Sequence, residues 1–219
     1  MLKISPELER LFPGLRTLTV EIENVKVGPA TEELKKLSEQ IFDEIRGKYD
    51  LGSLKDMPTF RAYRDFFWRV GIDPTKSRPA AEALIRRVLA GKPIPSINNL
   101  VDAYNLASIK TGIALAAFDL EKLVGELLMR RAAAGEEFLG IGMREPQVLK
   151  GEEVVVVDAR GIVAIYPYRD AERTKVTSST ERVLLLVCGV PGVEFGELDK
   201  ARKVAVEFIT RFCGGKVKF

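Results

Sequence analysis

The sequence predicts an α+β protein with a mainly helical N-terminal half and a strand-rich C-terminal half. Three observations carry that prediction. Residues 30–112 hold amphipathic segments at helical period, punctuated by glycine and proline. Residues 113–188 hold short apolar runs of strand length separated by glycine-containing turns, and one last amphipathic segment spans 198–212. Helices, then strands, then a closing helix do not make a regular strand–helix alternation. The 219 residues, 46% hydrophobic and 30% charged, suffice for a substantial core. No repeat, low-complexity tract or long linker interrupts them, so 1–219 reads as a single unit, open to division into interlocked lobes of about 1–112 and 113–219.

Each element follows from its residues. LRTLTVEIENVKV (15–27) alternates apolar and polar positions with β-branched Thr and Val, and reads as a strand. In ATEELKKLSEQIFDEIR (30–46) apolar groups at 34, 37, 41, 42 and 45 build one helical face, with Gly47 as the stop. PTFRAYRDFFWRV (58–70) is a helix dense in aromatics. Asp73-Pro74 marks a turn, Pro79 suits the first turn of a helix, and Gly91 and Pro93 close that helix. A further helix runs from about 97 to 110 and ends at Thr111-Gly112. IALAAF (113–118), parts of 124–133, EVVVVD (153–158), IVAIYPY (162–168) and RVLLLVC (182–188) are strands, and the helix over 198–212 ends at Gly214-Gly215.

Composition excludes much chemistry. The chain has no histidine, which removes Ser-His-Asp and Cys-His nucleophiles, imidazole acid–base catalysis and most catalytic zinc sites. Cys188 and Cys213 lack metal-site or disulfide-framework spacing and read as free thiols; neither metal nor cofactor is expected. No apolar run reaches membrane-span length, and MLKISPELER lacks a hydrophobic signal region, so a cytoplasmic protein with no membrane partner is expected. The net charge of +3 permits a nucleic-acid partner without demanding one, and the scarcity of glutamine (Gln40 and Gln147) beside abundant Lys, Arg and Glu leans towards a thermophile.

Three constellations could carry chemistry. In IPSINNLVDAYNLASIKTG, Ile97, Leu100, Val101, Tyr104 and Ala107 share a helical face, and Asn98, Asp102 and Asn105 form a polar stripe beside it. Such short side chains are poor helix formers. The plain structural account makes Asn99 an N-cap and Asp102 its capping-box partner, which leaves Asn105 and Ser108, deep in the helix, unexplained. FRAYRDFFWR interleaves Arg61, Arg64 and Arg69 with aromatics, which suits base stacking and phosphate contacts as well as a core helix with solvated arginines. YPYRDAERTKVTSST joins Tyr166, Tyr168, Arg169, Arg173 and Lys175 to a run of hydroxyls, in a functional loop or a charged surface hairpin.

YRDFFWRVGIDPTKSRPAAEALIRRVLAGKPIPSINNLVDAYNLAS and the later RDAERTK make the chain resemble the tRNA-binding and editing domain of the phenylalanyl-tRNA synthetase beta subunit, and more closely free-standing proteins of that domain alone. The likeness spans nearly the whole chain and is strongest over about 60–175. It implies two fused α+β lobes with an aminoacyl pocket between them, and hydrolysis in trans of the ester of mischarged aminoacyl-tRNA. By that resemblance Asp102, Asn105 and Asn98 are the catalytic candidates, with Ser108, Tyr166 and Thr174 binding substrate. Arg64, Arg69, Arg169, Arg173 and Lys175 would meet the charged acceptor end of a tRNA. The bacterial editing site's histidine has no counterpart here, and without a synthetase catalytic domain the chain would not act as a ligase by itself. A non-catalytic RNA-binding module and a binder of an amino acid remain open beside the deacylase, as does the oligomeric state.

Overall fold

The apolar run at 182–188 needs cover on both faces, and the fold supplies it. The computed structural model describes residues 2–218. In chain order these form β1 (Leu2–Ile4), α1 (Pro6–Leu11), β2 (Thr17–Glu23), α2 (Glu32–Lys48), α3 (Pro58–Arg69), α4 (Ala80–Leu89) and α5 (Asn99–Thr111). There follow β3 (Ala114–Asp119), β4 (Leu127–Arg131), β5 (Glu137–Phe138), β6 (Gln147–Val148), β7 (Val154–Asp158), β8 (Gly161–Ile165), β9 (Arg169–Asp170), β10 (Arg182–Cys188), α6 (Phe195–Cys213) and β11 (Lys216–Lys218).

A four-stranded antiparallel sheet has the order β11-β2-β10-β3, which places the apolar β10 centrally. Helices α5 and α6 pack against one another and against this sheet, α5 on β3 and α6 on β2 and β10. A five-stranded sheet has the order β1-β4-β7-β8-β9, with β1 parallel to β4 and the other pairs antiparallel. The unbroken VVVV of β7 has two apolar environments to fill. Val154 and Val156 join the main core, and Val155 and Val157 join a smaller one with Phe138 and Leu149. The α+β class expected from the sequence is the one observed.

The sheets do not divide the chain near residue 112. The N-terminal residues add β1 to the five-stranded sheet, and β2 pairs with β10 across about 160 intervening positions, as Arg182 opposite Glu23 illustrates. Several local readings shift. Gly47 lies inside α2, which ends only where the Tyr49 N–H reaches the Ile45 carbonyl. Pro79 is the residue preceding α4 rather than within its first turn. Ile97, placed by periodicity on an apolar face, lies outside α5 and is 65% exposed. The short elements β1, α1 and β11 lack enough periodicity to be read from sequence, because their partners are distant in the chain.

Candidate functional site

Helix α5 is the spine of the site, and its first turn is built from the polar stripe. Asn98 is the N-cap, its Oδ1 accepting from the Val101 N–H at 2.9 Å. The cap therefore falls one residue before Asn99, which does different work. Asn99 is buried, its Nδ2 donating to the carbonyls of Lys26 (2.9 Å) and Phe212 (3.0 Å) and its Oδ1 accepting from Gly28 N–H at 2.8 Å. It ties the start of α5 to the exit of β2 and the end of α6. Asp102 turns back on the preceding segment, where its carboxylate accepts from the Ile97 N–H at 2.9 Å and from the Ser96 hydroxyl. At the other end, Ser108 is buried and donates to the Ile113 carbonyl at 2.7 Å. Gly112, with φ of 76°, supplies the left-handed C-cap.

Beyond that turn α5 meets open space on adjoining faces. One is a cavity of about 170 Å³ where β3 and β10 of one sheet face the ends of β8 and β9 of the other. Tyr104 and Asn105 enter it from α5, Tyr166 and Asp170 from the segment that follows β8, and Ala114 and Ala116 keep its wall shallow. The Tyr166 ring lies edge-on to Phe66 and its hydroxyl donates to the Gly189 carbonyl at 2.5 Å, so this tyrosine offers a wall and not a free hydroxyl. Cys188 also reaches the cavity; burial pushes its thiol well above the ordinary range, leaving it protonated at neutral pH.

Asp170 is the unusual group. Its carboxylate has neither a hydrogen bond nor an ion pair to any described residue, and burial alone pushes it up to about 7. The Tyr104 hydroxyl and the Asn105 carboxamide likewise have no side-chain partner among the described residues, and burial raises the Tyr104 phenol. Arg169 lies at the same cavity, its guanidinium 5.3 Å from the Tyr168 ring centre and in no ion pair with a described residue. Four polar groups without internal partners thus converge on one small space.

The remaining predicted residues are engaged elsewhere. Arg64 donates to both oxygens of the buried Glu82, at 3.0 and 3.1 Å, and Arg86 joins the same carboxylate at 2.7 Å. Arg69 donates to the Leu11 carbonyl and stacks 4.4 Å from the Phe12 ring. Arg173 grips Asp158 through both nitrogens, at 2.6 and 3.1 Å, and Lys175 pairs with Glu172. Thr174 is buried, with its hydroxyl unpartnered. Sequence reasoning singled out Asn105, Tyr166 and Arg169 but passed over Tyr104, assigned to an apolar face, and Asp170, lost in a charged run. Asp170 follows an aromatic YPYR segment, which is the one local hint that it leaves a core strand and not a surface hairpin.

A family model described as the B3/4 domain matches residues 62–214. The chain belongs to the B3/4 domain family. Among known relatives, the phenylalanine–tRNA ligase beta subunit of Tropheryma whipplei is 29% identical over 147 residues, which is 67% of this chain and 15% of that protein. The counterpart from Thermotoga maritima is 31% identical over 128 residues, 58% of this chain and 16% of that one. This B3/4 domain therefore spans about a sixth of the length of these relatives. Its fold is that of an N-terminal fragment of the phenylalanyl-tRNA synthetase beta subunit from Pyrococcus horikoshii, with a TM-score of 0.54 at 16% identity over 99% of this chain and 50% of that one. The resemblance noted over residues 60–175 is borne out at the level of the family. Among the described residues, no helix is long and apolar enough to cross a membrane.

Proposed function

We propose that this B3/4 domain binds the charged acceptor end of a tRNA and hydrolyses the ester of a mischarged aminoacyl-tRNA in trans, in the cavity beside α5. One observation carries the proposal: Asp170, an unpaired carboxylate raised to about 7, shares a cavity of about 170 Å³ with the free polar groups of Tyr104 and Asn105. A carboxylate poised near neutral pH is suited to general-base work. Asp170 takes a proton from water as the water oxygen attacks the aminoacyl carbonyl carbon. The Asn105 Nδ2 or the Tyr104 hydroxyl donates to the oxygen that becomes negative. When the carbon–oxygen bond to the terminal ribose breaks, the proton held on Asp170 passes to the departing ribose oxygen. Positioning and oxyanion stabilisation supply the rest, because an aminoacyl ester is already an activated acyl group.

In this reading Asn98 and Asp102 are positioning residues that hold the first turn of α5, and Asn105 acts from the next turn. Arg169 is the basic group free to meet an acceptor-end phosphate; Arg64, Arg173 and Lys175 would have to leave internal carboxylates to do so. The name of the relatives, phenylalanine–tRNA ligase beta subunit, supports a tRNA partner. The test is loss of the ester from a panel of correctly and incorrectly charged tRNAs, aromatic amino acids included, with the wild type and Asp170→Asn. Loss of one mischarged species by wild type, with the variant slowed, supports the deacylase. Salt-dependent tRNA binding without turnover identifies a binding module instead.

A further inference from the structure

The other open face of α5 borders a second concavity, a groove of about 370 Å³ between α2, the segment at 94–96 and α5. Its body is apolar: Leu34 and Phe42 from α2, Ile94, and Leu106 and Ile109 from α5. Its rim carries charges of both signs, Lys35 and Lys36 against Glu39 and Asp102, so that the lining is neutral overall. Lys35 is occupied by Glu32, while Lys36 and Glu39 pair with no described residue. Asp102 uses one hydrogen bond on each oxygen and retains acceptor capacity, and the Asn105 carboxamide, unpartnered, forms part of the floor.

We infer that this groove is a binding site for a free apolar α-amino acid, separate from the cavity that holds Asp170. The chemistry selects the class. A pure hydrocarbon would leave the Asn105 carboxamide and the Asp102 carboxylate facing apolar atoms, a costly mismatch, the Ser38 hydroxyl being already bonded to the Leu34 carbonyl. A phosphate-bearing ligand would meet Glu39 and Asp102 as well as the lysines. A zwitterion with an apolar body satisfies every part: its ammonium sits between Glu39 and Asp102, its carboxylate towards Lys36, and its side chain on Phe42, Leu106 and Ile109. The size suits one bulky side chain in a pocket of ordinary ligand-binding volume. Asn105 lines both the groove and the cavity, so a groove ligand touches the wall that the two spaces share. The inference is independent of whether the cavity hydrolyses esters.

The experiment titrates the 219-residue chain with L-phenylalanine, L-leucine, phenethylamine and 3-phenylpropanoate, following the unfolding temperature and the heat of binding. The amino acids should raise the unfolding temperature in a saturable way, and the compounds lacking one charge should bind about tenfold more weakly, each having lost a charge-assisted contact. Ser38→Trp, at a half-buried position of α2 that lines the groove, should fill it and abolish the shift while the variant keeps its own cooperative unfolding. Glu39→Gln, at an exposed position, should weaken L-phenylalanine while sparing 3-phenylpropanoate. No saturable binding by any amino acid overturns the inference. So does equal binding of all four compounds, which defines an unselective apolar slot. Binding that survives Ser38→Trp and disappears in Asp170→Asn belongs to the cavity and overturns it as well.

Discussion

The first turn of α5 and the cavity at its middle use the same vocabulary, Asn and Asp, to opposite ends. In the first turn every polar side chain is bonded within the chain: Asn98 caps the helix, Asn99 bridges three backbone groups, and Asp102 braces residues 96 and 97 with one bond on each oxygen. In the cavity Asn105, Tyr104 and Asp170 point at nothing the chain itself provides. A polar group bonded within the chain holds the fold together, whereas one that is partly exposed at a cavity wall and unbonded within the chain stays available to water or a ligand. The contrast between the regions is therefore one between polar groups spent on architecture and polar groups left available.

The comparison can be broken at its strongest point by Asn99→Ala. That change strands the Lys26 and Phe212 carbonyls and the Gly28 N–H, and should cost about 3 kcal/mol in denaturant unfolding. A loss no larger than that of a surface substitution would remove the architectural half of the contrast. Asp170→Asn should do the reverse, lowering ester hydrolysis roughly a hundredfold in single-turnover assays while leaving the cooperative unfolding transition in place. A variant that loses activity only because it unfolds would collapse the two regions into one. Asn98→Ala, the loss of a side-chain cap, should cost about 1 kcal/mol by the same unfolding measurement.

The pH dependence of stability sharpens the same point through two aspartates of one sheet. Burial raises the Asp170 carboxyl to about 7, above the roughly 3.9 of an unfolded aspartate, so the folded state binds the extra proton between those values. Stability should fall as pH rises from about 4 through 7 and then level off, and Asp170→Asn should flatten that slope. Burial also acts on Asp158, but Arg173 and the N–H groups of Val124 and Arg160 outweigh it and hold that carboxyl below its usual range. Its contribution is present above the unfolded value and lost as pH falls through the lowered one. Asp158→Asn should therefore lower stability at neutral pH and flatten its decline on the acid limb, in urea titrations repeated across pH.

Much of the fold was legible because it is local. Amphipathic period placed α2, α3, α5 and α6, and apolar runs placed β3, β7, β8 and β10, each within a few residues. What escaped was non-local: β1 and β11 are three-residue strands whose existence depends on β4 and β2 far away in the chain. The candidate site divided along the same line. Asn105 drew notice because a carboxamide in the middle of a helix is a local anomaly. Asp170 did not, because an aspartate beside an arginine looks the same in a surface hairpin as at a cavity wall. Nor could residue order reveal that Arg64 would be taken by Glu82, or Arg173 by Asp158.

By itself, the sequence determined the α+β class, most of the elements, the exclusion of histidine chemistry and the resemblance that the B3/4 family match bears out. Those follow from periodicity, composition and motif, all of which are properties of neighbours in the chain. Only the tertiary structure decided which polar side chains find partners. Partnership is a matter of approach between α5, β9 and the two sheets: burial acts on both aspartates, and Asp170 differs from Asp158 because no arginine or backbone N–H reaches it, which depends on what packs around a group and on nothing it carries itself.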